Sequence, residues 1–362
     1  MARSGVRGRL LEGWASIGPA GRRARPHATV RAMAAPVLNR PRYSSISAKA
    51  YEHPADKAAT AALASIPLLE RVLKKLSELR FERSFQQLLL ADAVRAGERQ
   101  RPDLWRAHLA AYETLDIDAR PELYVGQLPG MNALTVGSAR PVVIVSPSLV
   151  KSLDAGEVAA VLGHEAGHVL SNHVHYATVL AILQRLLSVG LSPIGRLPLQ
   201  AIVLVLLEWY RCAELSCDRA ATLVVDDPQL VCRVLMDIAG GGVADLSLDA
   251  FVQQATEYAE TEDLLARPGR WLTELGRTHP FAVRRVGELT RWVAEGELDR
   301  IRAGSYVRRG QEPPASDQLR NATEHYRRRF TEIVDRVAGG MQKMFNQISD
   351  WLRSDGGEHD DR

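Results

Sequence analysis

Residues 158–170 carry apolar side chains around three polar ones, His164, Glu165 and His168, which spell H-E-x-x-H. Val158, Val161, Leu162, Val169 and Leu170 recur at helical spacing, so the segment predicts a helix. Asp154 suits its N-cap, and Glu157 three residues on completes a capping box. Two imidazoles and a carboxylate among Val and Leu are costly unless something pairs with them. A fold built on this chain must therefore bring polar or metallic partners to that helix.

The spacing has a chemical use. Residues four apart on a helix share a face, so His164 and His168 can both reach one zinc ion. Glu165 lies beside them. Zinc lowers the pKa of a bound water, and a carboxylate there can take its proton during attack on a carbonyl. The blander alternative is a helix carrying two surface histidines; the apolar surroundings argue against it. A longer motif with Gly at 171 and His at 174 is absent, since Ser171 and Val174 stand there. His173 and His175 are off that register and are read as helix-end or rim residues. A better third ligand is Glu214, which shares a helix face with Asp218 in Arg211-Cys212-Ala213-Glu214-Leu215-Ser216-Cys217-Asp218. The natural division puts Glu214 on zinc and Asp218 behind a ligating histidine. A solvated charge pattern with Arg211 is disfavoured by Leu206, Leu207, Ala220, Ala221 and Leu223. Cys212 and Cys217 flank Glu214 on different sides of the helix and are read as small core residues.

Around this motif the pattern predicts an α+β fold, mostly helical. Residues 41–60 read as an entry loop, 56–76 and 81–98 as helical, and 103–115 as a further helix. Glu122–Val125 and Val142–Val145 read as short strands bounded by Pro121, Pro129-Gly130, Pro141 and Pro147. The strand Val142–Val145 stands where a zinc peptidase keeps its substrate-binding edge. A second long helix is expected over 201–225, stopping at Asp226-Asp227-Pro228, with later helices near 229–238, 248–260 and 280–294. The expected regions are a leader over 1–40, an N-terminal helical region over 41–105, the main domain over 106–300, a polar linker over 301–318, an amphipathic helix over 319–353 and an acidic tail over 354–362. The amphipathic helix suits packing or self-association ahead of membrane contact.

The net charge of +3 over 362 residues misleads if taken whole. Residues 1–40 hold eight Arg and the single acid Glu12, or +7, which leaves −4 for the rest. A nucleic-acid partner is therefore not expected. The leader lacks the apolar run of a secretory signal. Met33 is the expected start, with an organellar transit segment as the alternative. Three cysteines are too few for a disulfide framework and fit a reducing compartment. No stretch of 18 apolar residues occurs, and 176–207 reads as a buried helical hairpin. The expected location is cytoplasmic, with peripheral membrane or organelle as alternatives.

Four motifs in order resemble the HtpX-like and CAAX-prenyl-protease-like zinc metallopeptidases, metallopeptidase family 48. They are Asn132-Ala133, the H-E-x-x-H, Glu214-x-x-x-Asp218 and Thr278-His279-Pro280, and the resemblance spans about residues 106–294. It implies a zincin-like core with a small sheet beside the H-E-x-x-H helix, one Zn2+ held by His164, His168 and Glu214, and Glu165 as general base. It implies that an edge strand (Asn132, Ala133, Val142, Val143, Ile144) pairs with an extended peptide. It also implies that His279 helps the oxyanion; without the resemblance Thr278-His279-Pro280 reads as a helix start. HtpX-type members carry membrane helices that this chain lacks in clear form, and it looks more like the soluble bacterial members. The expected activity is hydrolysis of peptide bonds, with protein quality control as a candidate setting. The competing class is a zinc-stabilised peptide-binding or chaperone-like module that hydrolyses nothing; the intact Glu165 argues against it.

Overall fold

The computed structural model describes residues 41–64, 87, 91–137, 140–188, 193–264 and 279–312. In chain order the described elements begin with helix α1 (Pro54–Ala64), strand β1 (Val94–Ala96), α2 (Pro102–Thr114), β2 (Glu122–Val125), β3 (Ala133–Val136) and β4 (Val142–Val145). They continue with α3 (Pro147–Ser152), α4 (Ala155–Leu170), α5 (Val174–Ser188), α6 (Pro193–Val225), α7 (Pro228–Gly240), α8 (Leu248–Leu264), α9 (Ala282–Ala294) and α10 (Glu297–Arg302). The fold is the expected α+β, predominantly helical.

The sheet has the order β1-β2-β4-β3. β2 and β4 are parallel with Glu122 opposite Val142, and β3 runs antiparallel to β4 with Ala133 opposite Val145. This corrects one expectation. Val142, Val143 and Ile144 do not form an edge, because β4 is paired on both sides and all four of its side chains are buried. An unbroken apolar run is what a strand covered on both faces requires. Among the described residues, the edge beside α4 is β3.

Other local readings shift in similar ways. Val94–Ala96, expected as helix, pairs antiparallel with Leu123–Val125, so tertiary pairing overrides a weak local pattern. The expected entry loop contains a 3-10 turn over Ala48–Ala50, capped by the Ser47 hydroxyl, and the start of α1. α6 starts at Pro193, ahead of the expected residue 201. Residues after α10 double back: Ser47 N donates to Val307 O at 3.0 Å and Arg309 N to Ser45 O at 2.7 Å. The expected leader, C-terminal amphipathic helix and acidic tail lie outside the described residues.

Two helices matter most for the site. α4 opens with the predicted capping box between Asp154 and Glu157. It packs closely on α6 because Gly163 and Gly167 present no side chain: a Cβ on either would lie 2.7 Å from Val224 Cβ or Ala220 Cβ respectively. α4 ends in a Schellman turn, with Asn172 left-handed at φ 57° and His173 N donating to His168 O at 2.9 Å. α6 ends where Asp226 turns left-handed, and Asp227 caps α7 by accepting from Gln229 N and Leu230 N.

The apolar core has two main parts. One joins the sheet, α2, α4, the C-terminal half of α6, α7 and α9 through residues such as Leu123, Val143, Leu162, Leu223, Leu235 and Trp292. The other joins α1, α5 and the preceding turns of α6 through Leu63, Leu180, Leu183, Leu206 and Trp209, so α5 and α6 pack as the expected hairpin. Among the described residues no helix is long and apolar enough to cross a membrane.

Candidate metal centre

The glycine-mediated contact sets His164 and His168 of α4 against Glu214 and Asp218 of α6. His164 Nε2 lies 3.5 Å from Glu214 Oε2, and His168 Nε2 lies 3.2 Å from Glu214 Oε1. The ring of His168 stacks on Tyr210, with centroids 5.4 Å apart. Behind His164, its Nδ1 lies 3.1 Å from Asp218 Oδ1. Arg285 of α9 grips Asp218, donating from Nε to Oδ2 at 2.8 Å and from Nη2 to Oδ1 at 2.5 Å. Its Nη1 also lies 3.0 Å from Glu214 Oε2.

Electrostatics follow from this crowding. Burial opposes ionisation of Glu214, yet His279, His164 and Arg285 outweigh it and hold the carboxyl well below its usual range. The same contest, won by Arg285 and His164, lowers Asp218. Burial opposes charge on His164 too, but Glu214 and Asp218 raise its pKa to about 10. Burial lowers His168 and His279.

Glu165 points to the other side of the cleft. Thr135 Oγ1, on β3, donates to Glu165 Oε2 at 2.5 Å. His279 stands at the mouth, its Nε2 3.6 Å from Glu214 Oε2 and its ring edge-on to Tyr210. The cleft measures about 690 Å³. Asn132 and Ala133 line one wall, Val231, Leu235 and Ile238 the other, and His164, Glu165 and Glu214 the floor.

A helix bearing H-E-x-x-H, packed on one bearing a carboxylate pair and opening on a sheet edge, is the arrangement of a zincin-type peptidase. Comparison with known families agrees: the model for Peptidase family M48 matches residues 98–293. The chain belongs to peptidase family M48. It is similar to the plastoglobule-localized metallopeptidase 48, chloroplastic, of Arabidopsis thaliana, 35% identical over 69% of this chain and 74% of that protein. It is also similar to two proteins named protease HtpX homolog. The one from Helicobacter acinonychis (strain Sheeba) is 22% identical over 51% of this chain and 64% of its own length. The one from Helicobacter pylori (strain Shi470) is 22% identical over 56% and 71%. No solved structure matches. As an M48 member the chain is a metallopeptidase of protein or peptide substrates, and its family implies a catalytic metal, typically zinc.

The residues present fit such a metal. Glu214 Oε2 is buried and, apart from the Arg285 ion pair, accepts no hydrogen bond among the described residues. Glu165, Glu214 and Asp218 bring three carboxylates against the one guanidinium of Arg285, so the cleft floor is short of positive charge. A cation entering there competes with the proton that His164 otherwise holds. Cys217 is a second candidate donor, since ligand atoms of His164, His168 and Cys217 lie within 4.8 Å of one another. Burial, with Glu214 and Asp56 nearby, pushes its thiol well above the usual range, which disfavours the thiolate a metal needs.

Several neighbours correct or extend the sequence reading. His173 is not on the rim: the Schellman turn folds it under His168, where it is 2% exposed. Cys212 sits in the α1–α5–α6 core as expected, whereas Cys217 touches His173, with Sγ 3.6 Å from Nδ1. Thr135, Arg285 and Asp56 escape the sequence reading. Arg285 had a signal, because two buried acids on one helix face require a nearby cation. Thr135 and Asp56 had none, since only the fold brings them to the site.

Proposed function

We propose that the chain is a zinc-dependent metalloendopeptidase whose metal is held by His164, His168 and Glu214. The observation that carries this reading is the convergence of both Nε2 atoms on the two Glu214 oxygens. When bound, zinc supplies Lewis-acid polarisation of the scissile carbonyl and of the attacking water. Glu165 takes the proton of that water and returns it to the leaving amine. The Thr135 hydroxyl occupies Glu165 Oε2 and so leaves Oε1 for the proton. Asp218, clamped by Arg285, orients His164 through Nδ1. His279, facing the cleft mouth, donates to the developing oxyanion. The Asn132–Ala133 end of β3, with β4 on one side only, offers its backbone to an extended peptide. For location, the name of the Arabidopsis relative favours the organelle alternative over the cytoplasm; fractionation of cells making the tagged chain tests it.

Casein cleavage by the purified chain, with and without chelator, tests the activity. Glu165→Gln is expected to keep zinc and lose about 10²–10⁴-fold in rate. Full cleavage by that variant overturns the mechanism. Bound zinc with no cleavage by the wild type favours the peptide-binding module instead.

A further inference from the structure

Asp56 and His173 line no part of the cleft, yet they meet the proposed ligand His168 from behind. His168 presents Nε2 to Glu214 and turns Nδ1 toward His173 Nδ1, 3.3 Å away. His173 Nε2 in turn lies 3.0 Å from Asp56 Oδ2. All three side chains are buried, Asp56 at 0% exposure.

The hydrogen-bond inventory sets the direction at the Asp56 end. Asp56 Oδ2 also accepts from Ser216 Oγ at 2.6 Å, and Oδ1 accepts from Thr60 Oγ1 at 3.1 Å. Thr60 Oγ1 itself accepts from Trp209 Nε1 at 2.8 Å, which commits its own proton to Asp56. Asp56 is therefore an acceptor on every side, and His173 donates to it through Nε2. In the singly protonated ring the remaining Nδ1 of His173 offers a lone pair. Cys217 Sγ also lies 3.6 Å from that nitrogen, but His168 Nδ1 is nearer at 3.3 Å, and a proton on His168 Nδ1 leaves His168 Nε2 bare. A bare Nε2 facing a carboxylate oxygen at 3.2 Å sets two acceptors together, a pairing that a cation between them satisfies.

Two backbone features hold the chain of contacts in place. The Schellman turn after α4 delivers His173, and His53 N donates to Ser216 Oγ at 2.9 Å, pinning the start of α1 to α6. Asp56 sits in the first turn of α1, where the helix dipole favours an anion.

We infer that Asp56 and His173 are positioning residues, a carboxylate–imidazole relay that fixes the tautomer of His168 for metal binding. Helix α1, outside the family-matched segment 98–293, is thereby a working part of the metal centre. The inference rests on the proposed metal site.

Zinc affinity of the full chain, measured by competition with a chromophoric chelator, tests it. His173→Phe keeps a buried ring without nitrogens, and it is expected to weaken zinc binding about 10–100-fold. His173→Asn sets an amide oxygen near the old Nδ1 position and is expected to recover most of the loss. Asp56→Ala reads the relay from its far end if His173→Phe does not fold, and a similar weakening is expected. Wild-type affinity in the variant that folds, or equal weakening by Phe and Asn, overturns the relay. Glu214→Ala is the control: if it retains wild-type zinc affinity, the metal-site reading fails whatever the relay does.

Discussion

The two histidines of the site are held by unlike means. His164, at the cleft, has a carboxylate directly on its second nitrogen, and Arg285 clamps that carboxylate. His168, deeper, has an imidazole there instead, and the carboxylate of Asp56 stands one ring further away. Charge explains the difference. The floor already holds Glu165, Glu214 and Asp218 against Arg285 and the proton on His164, and a fourth acid in contact with His168 would add to that excess of buried negative charge. The His173 ring transmits orientation while keeping the Asp56 carboxylate out of contact with His168. The His164 support is thus ionic and depends on Arg285, whereas the His168 support is a hydrogen-bonded chain that depends on α1.

The largest expected effect breaks the ionic side. Arg285→Met leaves Asp218 and Glu214 buried without their cation, at a cost of about 3–5 kcal/mol to the metal-free protein. Zinc then restores part of the missing charge, so the zinc-induced rise in melting temperature is larger in the variant than in the wild type. A smaller rise contradicts the ionic account.

The relay side gives a pH signature. Burial opposes ionisation of Asp56, but His173, Ser216 and Thr60 outweigh it and lower its pKa to about 2. A lowered folded-state pKa means stability that is present above the ordinary carboxylate pKa and lost as pH falls toward 2, on the order of 2 kcal/mol. Denaturation of wild type and Asp56→Asn between pH 5 and 2 is expected to differ in slope over that window. Parallel curves remove Asp56 from the acid limb.

The smallest effect concerns the seam both supports share. Gly to Ala in an exposed helix gains stability, whereas Gly167→Ala places a Cβ 2.7 Å from Ala220 Cβ. A loss of about 1 kcal/mol or more is expected by chemical denaturation. A gain shows that the seam has slack.

What the sequence made legible was local. The capping box at Asp154, the strands Glu122–Val125 and Val142–Val145, and the stop at Asp226-Asp227-Pro228 each rest on a few adjacent residues. The H-E-x-x-H and Glu214-x-x-x-Asp218 spacings are legible because one helix face fixes them. Sheet order is not local, so the strand pattern of Val142–Val145 does not reveal that the edge is β3, although four apolar residues in a row fit a covered strand. Thr135, Arg285 and Asp56 reach the site from three separate elements, and no spacing rule connects them to α4. His173 lay within reach: Asn172 is a natural left-handed residue, and a Schellman turn there brings the next side chain back under the helix.

The central claim is a metal held by two imidazoles and the Glu214 carboxylate, with the Cys217 thiol standing by as the rival donor. X-ray absorption at the zinc edge of the loaded protein tests it most directly. The account predicts only nitrogen and oxygen neighbours, at about 2.0–2.2 Å. A sulfur shell at about 2.3 Å would contradict it and move the third ligand to Cys217.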